Sequence, residues 1–288
     1  MSTSFPLQGR YILALWLGPF FIVPPGIPFI FARFSEETPW FWYDITWYYY
    51  SYLFYALLFL VYGLVYKPEW RMIFKKPKLN DIPAALELTL FVVVFSMAAA
   101  FALFYPLSFI LPEFVNYWYI DLPPFIYAWG ESYPFLPNLL SFLSLVVLTP
   151  IVEELAFRGV LLHRWSFKFG TRKAVLWSSL IFGIAHPDPI GAFAFSVAMC
   201  FLYMKSGTLL VPILCHSITN LIAWLYSAGY FYVQGPFYEY TLKEFQSEWG
   251  LGMVWIVLSA AWVISYVKRP STSHTLELPA IKFCGRSF

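Results

Sequence analysis

Charge is what this sequence has least of. Lys, Arg, Asp and Glu make up 12% of its 288 residues and apolar residues 60%, where a soluble domain carries about 25% and about 45–50%. Both departures exclude an ordinary water-soluble fold and point to a chain solvated largely by lipid. The net charge of +2, with no dense basic tract, excludes nucleic acid as a partner. Cysteine is scarce too. Cys200, Cys215 and Cys284 are too few and too scattered for a disulfide framework or a metal knuckle; Cys200 and Cys215 read as small residues packed between helices. No internal repeat, low-complexity linker or soluble second domain interrupts the chain, so residues 1–288 read as one membrane domain.

Aromatic residues, by contrast, reach 23%. Many cluster near expected helix ends, as in FWYDITWYYYSY, which suits a belt at the membrane interface. A hydrocarbon core of about 30 Å needs about 20 apolar residues in a helix. Candidate spans lie near residues 11–32, 46–66, 86–111, 139–162, 174–187, 190–204, 208–228 and 249–267. The expected fold is all-α, a polytopic transmembrane helical bundle of about eight spans. The fifth and sixth are short and meet at HPDPIG, which predicts a tight pair with its turn buried in protein. Arg10 ahead of the first apolar stretch looks like the start of a signal peptide. No small-residue cleavage site follows, so an uncleaved first span is expected.

The positive residues sort by side. Lys67, Arg71, Lys75, Lys76 and Lys78 share one connection, and Arg164, Lys168, Arg172 and Lys173 another. Arg10, Lys205, Lys268, Arg269, Lys282 and Arg286 fall on the same side, against only Arg33 and Lys243 on the other. The positive-inside rule then predicts that both termini are cytoplasmic. Composition and tail point to a bacterial plasma membrane.

Within this lipid-soluble chain, the stretch TPIVEELAFRGVLL, residues 149–162, places Glu153, Glu154 and Arg158 in six consecutive positions. One charge at the bilayer centre costs about 2.5–3.5 kcal/mol on insertion scales, so three unpaired charges would cost about 7–10 kcal/mol. Glu154 and Arg158 stand at i and i+4 with the acid N-terminal, the favourable order for a helical pair. Glu153 is turned about 100° away and does not share that partner. Two adjacent acids on one helix thus have different jobs. One is tied to arginine; the other is available to a cavity.

Two further spans bring polar groups to the same depth. FGIAH sets Phe182 and His186 one turn apart, and HSITN sets His216 and Asn220 at i and i+4. Counted from the inner end of each span, Glu154 and His216 each lie about 12 Å deep and His186 about 18 Å. A single polar site in the cytoplasmic half is expected. Taken one at a time, His186 reads equally as a packing residue, Glu154 with Arg158 as a structural clamp, and Asn220 as a bond between helices. His163, beside a basic connection, reads as interfacial.

These three motifs resemble the membrane protease family that includes the type II CAAX prenyl endopeptidases and the bacteriocin-processing and self-immunity proteins. That family's pattern is Glu-Glu-x-x-x-Arg, Phe-x-x-x-His and His-x-x-x-Asn, each on its own membrane helix; here it reads EELAFR, FGIAH and HSITN, in order. The flanking FRGVL and KSGTLLVPILCHSITN match too, so residues 139–228 would be the catalytic core. AFAFSVAMC stands where the family often has glycines, a departure that bears on helix packing.

The resemblance implies peptide-bond hydrolysis in the bilayer, with Glu153, Glu154, Arg158, His186, His216 and Asn220 as site residues. Glu153 would be the general base, His186 would hold the same water, Glu154 and Arg158 would anchor the motif, and His216 and Asn220 would donate to the oxyanion. A rival scheme within the family binds Zn2+ through His186, His216 and Glu153 in a His2Glu site with an open position for water. The implied substrates are peptides or lipidated, CAAX-like proteins reached from the bilayer. No feature of the sequence fixes an oligomeric state. Serine, aspartyl and H-E-x-x-H protease motifs are absent from the sequence. A transporter with a buried Glu/Arg/His relay and a non-catalytic immunity or scaffold protein are the alternatives.

Overall fold

The structure is a computed structural model, and it describes residues 41–66, 71, 73–122, 125–235, 238–268 and 278–279. The expected span 11–32 lies outside the described residues, as do Arg10, Arg33, Lys67, Arg269, Lys282, Arg286 and Cys284. Among the described residues the regular elements are helices, with one isolated bridge between Trp129 and Ser132. We name the main ones α1 (Phe41–Tyr66), α2 (Ile82–Ile110), α3 (Phe135–Phe169), α4 (Thr171–Ile184), α5 (Pro189–Ser206), α6 (Leu210–Gln234) and α7 (Trp249–Val267).

Length and composition explain the architecture. A helix that is apolar on every face has no solvent side and belongs in lipid or in a large core. Five stretches among the described residues are long and apolar enough to cross a membrane: Asp44–Val65, Leu79–Ile110, Phe135–Phe169, Pro189–Ser206 and Leu210–Gln234. Their outer faces stay exposed, as at Leu53, Leu57, Leu60 and Leu64 of α1. This is an integral membrane protein. Two of the expected spans are shorter. α4 has 14 residues, about 20 Å of helix, less than a hydrocarbon core requires. The apolar stretch of α7, Trp249–Ser265, also falls below the length of the five.

α5 is the central post. It packs on α4, α2 and α6, while α7 covers the outer side of α2 and α1 leans on the first half of α3. Small and medium residues make the close approaches: Ser196, Ala198, Met199 and Cys200 of α5 are all buried. Cys215 on α6 is buried likewise, so both described cysteines serve the packing that was expected of them. The core joins Phe157 and Val160 of α3, Phe182 of α4, Phe195 and Met199 of α5 and Cys215 of α6.

The expected tight turn between α4 and α5 is present, but it is not buried in protein, since Ala185, Pro187 and Ile190 are exposed; its residues explain its shape. Asp188 caps α5 by accepting from the Gly191 amide at 3.1 Å, and Pro189 starts the helix where no amide donor is needed. Ser96 of α2 donates to the second oxygen of Asp188. Any side chain at Gly191 would collide with both Asp188 and Ser96. Trp118 Nε1 donates to the Pro187 carbonyl at 3.1 Å, closing the turn from the far side. At the start of α6, the Ile73 carbonyl accepts from the Leu209 amide at 2.7 Å and from Thr208 Oγ1 at 3.3 Å. These ties hold the turn after α4, where His186 lies beyond the helix end rather than within the expected span, and the start of α6, which carries His216.

Candidate active site

α3 carries the charges, and it is not a uniform helix. Its hydrogen bonding widens to an i→i+5 register over Leu143–Leu148 and again over Leu155–Leu161. Such wide turns concentrate at functional sites. Pro150, buried just after the first, cannot donate a backbone hydrogen bond. Glu153 and Glu154 follow one turn later, and Arg158 lies in the second wide stretch.

Glu154 and Arg158 are fully buried, at 0% exposure each. Arg158 Nη1 donates to Glu154 Oε1 at 2.9 Å, while Nη2 donates to the Ser196 carbonyl at 3.0 Å and to Ser196 Oγ at 2.8 Å. The guanidinium carbon also sits 5.1 Å from the Phe182 ring centroid, within cation–π reach. His216 Nδ1 stands 2.9 Å from the same Glu154 Oε1. A carboxylate can only accept, so Nδ1 carries the proton and donates. Glu154 is thus held from two helices and neutralised by one cation.

Glu153 is treated differently. Its side chain keeps 18% exposure, and its Oε2, itself buried, has no hydrogen-bond partner among the described residues. The nearest polar atom in an ion-pair sense is His216 Nε2 at 3.9 Å. That is too long for a hydrogen bond and short enough for one small polar group to touch both. Glu154 Oε2 is likewise buried without a hydrogen-bond partner among the described residues, so the division between the two acids lies in their partners: Glu154 holds an arginine and a histidine through Oε1, and Glu153 holds neither at hydrogen-bond distance.

His186 does not hydrogen-bond into this cluster. Its Nδ1 donates to the Phe182 carbonyl at 2.6 Å, which leaves Nε2 as the bare nitrogen of a neutral ring. The Phe182 ring stands between the two histidines, 4.3 Å from His186 and 6.2 Å from His216, centroid to centroid. Asn220 lies on α6 one turn beyond His216, and its Nδ2 donates to the Leu145 carbonyl at 2.9 Å. His163, read as interfacial, meets the Tyr203 hydroxyl at 2.8 Å.

Two partners were missed in the sequence. Ser196 is one serine in an apolar helix, with nothing in its spacing to mark it as the arginine's second anchor. Tyr52 of α1 hydrogen-bonds Thr149, four residues before Glu153, so a helix that looked generic borders the site. Among the described residues, no three His, Cys, Asp or Glu side chains converge closely enough to hold a metal ion. His216 and Glu153 face each other, but His186 sits across Phe182. In this arrangement the trio does not fit a zinc ion.

Residues 135–222 match the family described as type II CAAX prenyl endopeptidase Rce1-like. This stretch is an Rce1-like domain. It contains all six of the expected site residues and nearly coincides with the expected core, residues 139–228. Over 27% of its length the chain is 31% identical to CAAX prenyl protease 2 of Homo sapiens, covering 31% of that protein. The chain thus spans about a third of this curated relative. No solved structure matches it. Residues 1–134 and 223–288 lie outside the Rce1-like match.

Proposed function

We propose that the protein is an intramembrane endopeptidase in which Glu153 activates a water against a peptide bond. The observation that carries this reading is the asymmetry of two neighbouring acids. Glu154 Oε1 is bonded by both Arg158 and His216, whereas Glu153 has no hydrogen-bonded cation among the described residues and its Oε2 lies 3.9 Å from His216 Nε2. A structural clamp needs only the first acid; an unsatisfied second one in lipid is a cost that chemistry explains.

In the proposed cycle Glu153 takes a proton from water as the oxygen attacks the carbonyl carbon, and returns it to the amide nitrogen as the C–N bond breaks. His216, fixed by Glu154 through Nδ1, donates from Nε2 to the developing oxyanion when both ring nitrogens carry protons. One such donor is typically worth about 2.7–4 kcal/mol. His186, with its Nδ1 proton held by Phe182, must move past the Phe182 ring for its Nε2 to reach the same water. Glu154 and Arg158 anchor the helix and set the tilt of His216.

The substrate class is membrane-associated or lipidated, CAAX-like protein, in keeping with the name of the human relative. We further propose about eight spans, with both termini cytoplasmic, in a bacterial plasma membrane, and the whole chain as one membrane domain with residues 139–228 as its catalytic core. The test is cleavage of a lipidated-peptide library by detergent-purified protein, with Glu153→Gln and His186→Ala alongside and a zinc chelator in parallel. Product loss in both variants with indifference to chelation supports the scheme. Cleavage unchanged in Glu153→Gln, or lost on chelation and restored by zinc, overturns it.

A further inference from the structure

We infer that Asn220 is a positioning residue that caps a backbone carbonyl orphaned by Pro150, and so sets the register of α3 against α6. The inference concerns the site proposed above and rests on that reading for its consequence, although the clamp itself does not.

The hydrogen bonds around Pro150 can be accounted for one at a time. In a regular helix the Leu145 carbonyl accepts from residue 149. Here the Thr149 amide donates to Ser144 instead, and Thr149 Oγ1 bonds that same carbonyl at 2.9 Å. In the wide register, Leu145 would accept from residue 150, which is proline and has no N–H. Both intrahelical donors for Leu145 are therefore gone. A backbone carbonyl left unpaired in lipid is strongly disfavoured, because no water can replace the lost bond. Asn220 Nδ2 supplies the bond at 2.9 Å.

The geometry gives this clamp a second effect. α6 meets α3 at two places, Asn220 at Leu145 and His216 at Glu154. Because the earlier residue of α6 meets the later residue of α3, the two helices run antiparallel. Two fixed points remove both sliding and rotation between them. Glu153, three residues beyond Pro150, is then held on the side where His216 Nε2 lies. In this view Asn220 acts through Leu145 on the placement of Glu153, rather than on the reacting atoms.

A double-mutant cycle between Pro150 and Asn220 tests it on the full chain purified in detergent. The thermal unfolding midpoint is read without substrate for wild type, Asn220→Ala, Pro150→Ala and the double variant. Alanine at 150 restores an N–H within reach of Leu145. Asn220→Ala should lower the midpoint by about 3–6 °C, and by less than half as much in the Pro150→Ala background. Equal losses in both backgrounds overturn the inference. So does an unchanged midpoint in Asn220→Ala with turnover reduced about 100-fold or more, the signature of an oxyanion donor.

Should Pro150→Ala fail to fold, Asn220→Leu decides. It keeps the shape and loses the donors, so a midpoint as low as that of Asn220→Ala supports the clamp and a wild-type midpoint overturns it. The cycle needs no activity, so it can fail while Glu153→Gln still abolishes cleavage, and it can succeed in a protein that cleaves nothing.

Discussion

The sharpest prediction contrasts Glu153→Gln with Glu154→Gln, two isosteric changes at adjacent positions. Glu154 Oε1 accepts from Arg158 at 2.9 Å and from His216 at 2.9 Å, with no exposure. Removing its charge leaves a guanidinium in the protein interior without its counterion. Breaking a buried pair in this way typically costs about 3–5 kcal/mol. At about 2–4 °C per kcal/mol for a chain of this size, the unfolding midpoint should fall by about 6–20 °C. Glu153 has no such hydrogen-bonded cation or histidine among the described residues. Its glutamine variant should unfold within about 2 °C of wild type, as expected where a substitution removes no defined interaction. Its effect should be on rate, a loss of about 100- to 10,000-fold for a general base, or about 2.7–5.4 kcal/mol of barrier. Intrinsic fluorescence of the 13 tryptophans reads the midpoint, and peptide cleavage reads the rate. The reasoning is refuted if the two variants unfold alike, or if Glu153→Gln is the less stable of the pair.

Two further predictions concern the scaffold. A β-carbon at Gly183 would lie 2.6 Å from the Pro189 carbonyl oxygen and 3.0 Å from Phe193 Cβ, so Gly183→Ala must push α5 away from α4. We expect a loss of about 1–3 kcal/mol, seen as a lower unfolding midpoint; a wild-type midpoint would show that the helices are not this close. Outside the membrane-spanning helices, the Glu244 carboxylate is held below the ordinary glutamate range, first by the Tyr238 hydroxyl at 2.5 Å and then by Thr241. A lowered folded-state pKa means that this group's contribution is complete above the unfolded value of about 4.3 and is lost as pH falls through the lower folded value. Glu244→Gln should flatten that part of the stability profile between neutral and acid pH. A profile identical to wild type would refute the assignment.

The site was legible in the sequence wherever its geometry is local to one helix. The Glu154–Arg158 pair follows from i,i+4 spacing, and the separate fate of Glu153 from the 100° that divides neighbouring residues. Counting depth put Glu154 and His216 on one level, and the two side chains do meet. Bonds between helices were not legible. Ser196 takes the arginine's Nη2 only because α5 passes beside α3, and Asn220 faces Leu145 because a proline and a widened turn leave that carbonyl without a donor. The expected meeting of His186 with Glu153 counted depth alone; depth says nothing of the Phe182 ring that stands between the histidines.

By itself, then, the sequence determined that this chain is an all-helical membrane protein whose EELAFR and HSITN helices bring Glu154 and His216 to one level. Apolar length and helical periodicity are properties of single segments and need no partner. Only the tertiary structure decided which histidine joins Glu154, where His186 lies relative to it and what Asn220 holds. Those outcomes depend on how helices rotate and slide against one another, and in lipid that is settled by close packing and by the need to satisfy each buried polar group.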